Sequence, residues 1–339
     1  MPTFCRHNRF LERCPICSKT LPGATPAGAA RRAASGAKPA RPGGGGTRRR
    51  AARSESLRVR REGRAEDDGY RSALIPGVRA SADAQRLAEE IAFASARLSV
   101  LGAQPPGLYG EAHELAATDL ERASWICFLI AYLSPLDQQE DPFTGIRAVL
   151  EQAPTLPLEG SMPTLEGIPL GPRTAHVPAR GGATLLAYRQ WVGRAGGDPP
   201  TQAQALAGDP TWSPERRFER LFERLALPGL GRTGRYELLV TLGRLGLYEL
   251  CADSLALGGA GGASAGEASV VAAKRVFGIG DSLLLERRAA SLAEALAVPI
   301  EALDLALANW SATDRASVGV SAESATDDTL ARVEAVLGL

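Results

Sequence analysis

Two stretches of this 339-residue chain carry residues whose type and spacing could do chemistry. The first is FCRHNRFLERCPIC, which holds Cys5, His7, Cys14 and Cys17. CPIC is a tight-turn chelate that presents two thiolates to one metal, and Cys5 and His7 can complete a set of four nitrogen and sulfur donors. Such a closed set suits tetrahedral, structural Zn²⁺. In so short a segment, metal binding would supply the folding free energy. A redox pair at CPIC, or ligation without His7, is the alternative. The second stretch is LPGLGRTGRYELL, residues 227–239. Gly229 and Gly231 permit a tight turn, including positive φ. A helix is predicted to start at about Arg232. Its first amides lack intrahelical acceptors and, with the helix dipole, make a seat for a phosphate. Arg232 and Arg235 in that first turn can add charge-assisted bonds. Gly229, Gly231, Arg232, Thr233 and Arg235 are therefore the candidate contacts to DNA phosphates, a grip that positions without reading sequence. A glycine-rich turn that binds nothing is the alternative.

The elements that must position these residues read as helices. SPERRFERLFERLAL has Ser213 as a cap, Pro214 at the first helical position and Glu215 at the positive end of the dipole. Its apolar face is Phe218, Leu221, Phe222 and Leu225, which should pack against Tyr236, Leu238 and Leu239 of the next helix. Upstream, ASADAQRLAEEIAFASARLSVLG repeats Leu87, Ile91, Ala94 and Leu98 at helical spacing, and TDLERASWICFLIAYL is apolar all round, as an interior helix is. PFTGIRAVLEQ, GATLLAYRQWVGRAGG, AGEASVVAAKRVFG, SLLLERRAASLAEAL, PIEALDLALANW and DDTLARVEAVL extend the pattern, and a further helix is expected from Gly246 to about Leu257. Residues 152–182 should be irregular. No alternating strand pattern of useful length is present, so the fold class is all-α. The predicted organisation is a Cys/His knuckle over 1–20, a disordered basic linker over 21–66, and a helical domain over 67–339 with the hairpin at 215–243. Cys127 and Cys251 read as packing residues, and Trp125, Trp191, Trp212 and Trp310 as core.

Charge is unevenly spread although the chain's formal net charge is +1. Residues 1–64 carry 16 Lys/Arg against 3 Asp/Glu, and the remainder carries 23 against 35. A basic arm on an acidic body suits a polyanion partner, or else an arm that only contacts its own body. The longest apolar run, Trp125 to Leu133, is far short of the about 20 residues that span a bilayer. MPTFCRHNRF has no apolar signal core, so a cytoplasmic location without membrane contact is expected. No phosphate-binding Walker loop, Ser-His-Asp triad or HExxH pattern occurs.

LPGLGRTGRYELLVTLG is similar to the helix-hairpin-helix of the DNA glycosylase superfamily. The wider run SPERRFERLFERLALPGLGRTGRYELLVTLGRLGLYEL, with CRHNRFLERCPIC, resembles a glycosylase-related branch, the α-glutamyl/putrescinyl thymine pyrophosphorylases. The resemblance implies a glycosylase-like helical domain that binds DNA. It also implies an activity on modified thymine: displacement of pyrophosphate from a 5-(pyrophosphoryloxymethyl) base by an amine. A base-excision glycosylase and a noncatalytic DNA binder are the rival readings. In the glycosylase fold an aspartate follows the hairpin, and that spacing lands on Cys251, with Asp253 two residues on. FGIGDSLLLERR offers a better pattern, with Asp281 ahead of a helix carrying Arg287 and Arg288. The glycine-rich loop 258–266 is then an insertion. Asp281, with Asp253 second, is the implied catalytic carboxylate, which would stabilise a cationic centre or take a proton from the nucleophile. Its alternative role is to cap its helix. The target base would first leave the stack. LSPLDQQEDPF, with Gln138, Gln139 and Asp141, is one candidate wall for it.

Overall fold

The computed structural model describes residues 65–339 apart from 138, 259–266 and 322–326. The knuckle ligands Cys5, His7, Cys14 and Cys17, and the linker through residue 64, lie outside the described residues. Every regular element among those described is helical, as the periodicity required. Twelve α-helices follow in chain order: α1 Ser81–Ala103, α2 Leu108–Leu115, α3 Leu120–Leu133, α4 Thr144–Gln152, α5 Ala183–Val192, α6 Gln202–Ala207, α7 Pro214–Arg224, α8 Arg232–Arg244, α9 Ala268–Phe277, α10 Ser282–Leu296, α11 Ile300–Ser311 and α12 Asp327–Leu337.

The core follows the apolar pattern. α3 starts at Asp119, whose side chain accepts from the Arg122 amide, and is buried without interruption from Ala123 to Leu133. Around it runs an aromatic stack: Phe128 lies 3.8 Å from Tyr188 between ring centroids, and Trp125 and Trp191 extend the stack at either side. α8 packs on α3, and α11 packs on both α1 and α9. α1 buries Leu87, Ile91, Ala94 and Leu98. No helix among the described residues is long and apolar enough to cross a membrane.

Three departures from the sequence reading have local causes. Residues 246–257 form no helix. Gly246 turns the chain with φ 71°, and the backbone beyond it is taken up by distant side chains. Leu255 and Leu257 donate their amides to Glu286, while the carbonyls of Ser254 and Leu255 accept from Tyr236 and Arg232. A helix there would compete with these bonds for the same backbone groups. α2 and α6 were not expected; both are short, and α6 carries a capping box between Thr201 and Gln204. Among the side chains read as packing, Trp212 is only half-buried, with the Arg216 guanidinium 5.0 Å above its ring, and Cys251 is exposed.

Candidate active site

α7 and α8 form the hairpin that LPGLG announces. Ser213 caps α7 by accepting from the Arg216 amide, Pro214 occupies the first helical position, and Phe218, Leu221 and Phe222 are buried. The rings of Phe218 and Phe222 meet Tyr236 of α8 edge-on. The turn needs its first glycine on two counts. Gly229 has φ 85°, and a Cβ there would stand 2.1 Å from Thr184 Oγ1. Gly231 is different: its φ of −65° suits any residue, and it is the N-cap of α8. A Cβ on Gly231 would lie 3.3 Å from Glu267 Oε1, so the missing side chain lets a carboxylate approach the helix end.

The two arginines of the first turn face inward, not outward as the sequence reading placed them. Arg232 is 1% exposed. Its Nη1 donates to Asp304 Oδ1 at 2.6 Å, and its Nε and Nη2 donate to the Leu255 carbonyl. Arg235 is equally buried; its Nη1 donates to the Phe222 carbonyl at 3.0 Å, with its guanidinium over the Phe222 ring. Phosphate contact by these two guanidinium groups would require them to leave the core. Residues three apart share one face of a helix, and α8 is buried over nearly its whole length, so the face carrying Arg232 and Arg235 enters the core. Asp304 itself is 2% exposed and is shared: Arg173 Nη2 donates to its other oxygen at 2.8 Å. Burial pushes this carboxyl up, but Arg232 and Arg173 outweigh burial and hold it below the ordinary carboxylate range.

Gly229, Gly231 and Thr233 do reach a cavity. They line a cleft of about 680 Å³ whose other walls come from residues 172–180 and 267–269. The N-termini of α8 and α9 both open into it, and Arg173, Arg180 and Glu267 supply its charged side chains. Glu267 Oε1 accepts from the Arg232 amide at 3.0 Å and so occupies one position of the α8 N-terminus. Burial raises the Glu267 carboxyl above its ordinary value, with the Arg232 charge opposing. Beneath the cleft wall His176 is buried, its Nδ1 2.8 Å from the Tyr132 hydroxyl, and burial lowers its pKa.

Neither aspartate of the sequence reading lines this cleft. Asp281 is the exposed N-cap of α10 and accepts from the Leu284 amide at 2.9 Å. Asp253, also exposed, borders a separate cavity of about 250 Å³ with Phe218, Phe222, Ser282 and Glu286. In the loop LSPLDQQEDPF, Asp141 is held by Arg147 and by the Phe143 amide, and Gln138 lies outside the described residues. The carboxylate at the hairpin cleft is Glu267, which sequence reasoning missed. Its signal was faint: a single acidic residue between the glycine-rich loop and the first turn of α9, where acids favour the dipole.

Residues 174–318 match the family model of the alpha-glutamyl/putrescinyl thymine pyrophosphorylases, clade 3. The match supports the pyrophosphorylase branch of the resemblance. It takes in the hairpin, Glu267 and Asp304, and stops one residue short of Arg173. No curated protein and no solved structure matches the chain. The all-α class stands on the helices themselves.

Proposed function

We propose that this protein acts on DNA carrying a modified thymine, a 5-(pyrophosphoryloxymethyl) base, and replaces its pyrophosphate with an amine. The observation that carries the reading is the coincidence of the family match with the cleft: nearly all of the cleft wall lies within residues 174–318. The cleft's chemistry fits the reaction. A departing pyrophosphate gathers negative charge, and Arg173, Arg180 and two helix N-termini converge where such charge could be held. The hairpin backbone at Gly229, Gly231 and Thr233 is the proposed contact to the DNA strand, with amides rather than the arginine side chains as donors. A cavity of about 680 Å³ is in the range that takes a nucleotide-sized ligand.

The test is chemical. Duplex and single-stranded DNA containing the pyrophosphorylated thymine is incubated with the protein and with glutamate or putrescine, the amines that the family description names. Nucleosides are then analysed by mass spectrometry, and inorganic pyrophosphate is measured. A base enlarged by the amine, with one pyrophosphate released per product, is the expected result. Release of free base would establish a glycosylase instead, and binding without any product would leave a noncatalytic DNA-binding protein.

A further inference from the structure

We propose that Glu267 is the general base of this cleft and takes the proton from the attacking amine. The inference rests on the reading of the cleft given above. Glu267 is the carboxylate among the cleft-lining residues, and its two oxygens are treated differently. Oε1 accepts the Arg232 amide and is thereby fixed in place. Oε2 is buried and has no hydrogen-bond partner among the described residues. Buried carboxylate oxygens are ordinarily satisfied, so one left without a partner on a residue of the cleft wall invites a donor from a ligand. Arg173 provides the second observation. Its side chain is nine-tenths buried, it lines the same cleft, and its Nε also has no partner. No ion pair joins Arg173 to Glu267 among the described residues. One orphan acceptor and one orphan donor thus belong to two residues of the same cleft wall, both atoms buried and neither satisfying the other. That arrangement fits a reaction whose nucleophile must lose a proton while its leaving group departs as an anion.

The step balances. The amine lone pair forms a bond to the 5-methylene carbon, and the carbon–oxygen bond breaks with its electron pair leaving on pyrophosphate. The nitrogen, now a cation, gives its extra proton to Glu267 Oε2. Arg173 faces the leaving group. The protein's own charges around Glu267 are Arg232 and Arg235 on α8 and Asp304 on α11, with Arg173 and Arg180 lining the same cleft; Arg232 is neutralised by Asp304. Burial holds the carboxyl above the usual range, which brings a general base closer to its operating pH.

The experiment uses the full chain with the pyrophosphorylated DNA and putrescine. Glu267→Gln keeps an oxygen for the Arg232 amide and removes the base. It should lower kcat on the order of 100-fold or more, with KM for DNA little changed and a melting midpoint no lower than wild type. Glu267→Asp should recover part of the loss. On the acid side, log kcat/KM for the amine should steepen from slope one to slope two in wild type, since amine and carboxylate must both be deprotonated. The Gln variant should keep slope one throughout. Turnover of Glu267→Gln within about threefold of wild type overturns the base and leaves the pyrophosphorylase reading standing. A wild-type acid limb that stays at slope one does the same, even if the Gln variant fails to fold. No turnover by wild type overturns the reading and the base together.

Discussion

Asp304 sits between two guanidinium groups, and that placement converts what looked like a phosphate ligand into a structural one. Arg232 could be read as a surface cation only because its partner lies 72 residues away on α11. Nothing local in RTGRYELL announces that partner, and a residue-scale reading of the hairpin had no means to find it. The glycines, the capping Ser213 and the start of α8 depend on neighbours in sequence and were legible for that reason. The buried pair makes a specific prediction. Arg232→Ala leaves Asp304 with Arg173 alone, and losing one partner of a buried ion pair costs about 3–5 kcal/mol in unfolding free energy. Arg180→Ala, at an exposed position, should stay within about 0.5 kcal/mol while weakening substrate binding. Urea unfolding of both variants checks the contrast. The pH dependence has a fixed sign: a carboxyl depressed in the folded state stabilises above its unfolded pKa, and that contribution disappears as pH falls through the folded value. The gap between wild type and Arg232→Ala should therefore be widest at neutral pH and narrow in acid, below the ordinary carboxylate range, to what the lost bonds to the Leu255 carbonyl leave.

Two G-x-G turns look alike in the sequence and part company as elements. GLG at 229–231 joins α7 to α8, and GIG at 278–280 joins α9 to α10, with a nearly equal φ at the leading glycine, 85° and 83°. Yet Leu230 is 2% exposed and Ile279 is 99% exposed. The turn type is set by local chemistry and can be read; whether the middle residue enters the core depends on what packs beside the hairpin. The same division explains the missing helix at 246–257, whose helical composition yields to long-range bonds from Glu286, Arg232 and Tyr236. Within the 229–231 turn the two glycines should behave unequally. Gly229→Ala forces a Cβ against Thr184 in a left-handed conformation and should cost on the order of 2–3 kcal/mol. Gly231→Ala meets only the end of the Glu267 side chain and should cost less than about 1 kcal/mol, yet it displaces the carboxylate from its seat and should slow turnover. Equal destabilisation by the two substitutions in denaturant unfolding would contradict this account of the turn.

At the scale of the molecule, the cleft assembles three segments, 172–180, 229–234 and 267–269, that no window of the sequence brings together. The middle segment alone could be recognised beforehand, from its glycines; residues 172–180 are held by the end of α3, whose Tyr132 carbonyl accepts from Thr174 and Ala175, and 267–269 are placed by the packing of α9 on α11. Charge, by contrast, was countable from the start. Residues 65–339 carry 23 basic against 35 acidic side chains, so this part of the chain is on balance repelled by nucleic acid, while residues 1–64 carry 16 against 3. If DNA is the substrate, long-range attraction must come from the first 64 residues, and the cleft must supply short-range contacts only. Removing residues 1–64 should then weaken DNA binding strongly at low salt and little at high salt. Each phosphate contact that is lost flattens the slope of log affinity against log salt by about 0.9 on duplex DNA. Metal analysis of the same two proteins tests the Cys5, His7, Cys14, Cys17 set: one zinc per full-length chain and none in the truncated one. Turnover should survive truncation once DNA is saturating, because the proposed reacting groups, Arg173, Arg180 and Glu267, all remain. An unchanged salt slope would place the phosphate contacts on the acidic body after all. Loss of kcat at saturation would mean that the arm enters the reaction itself.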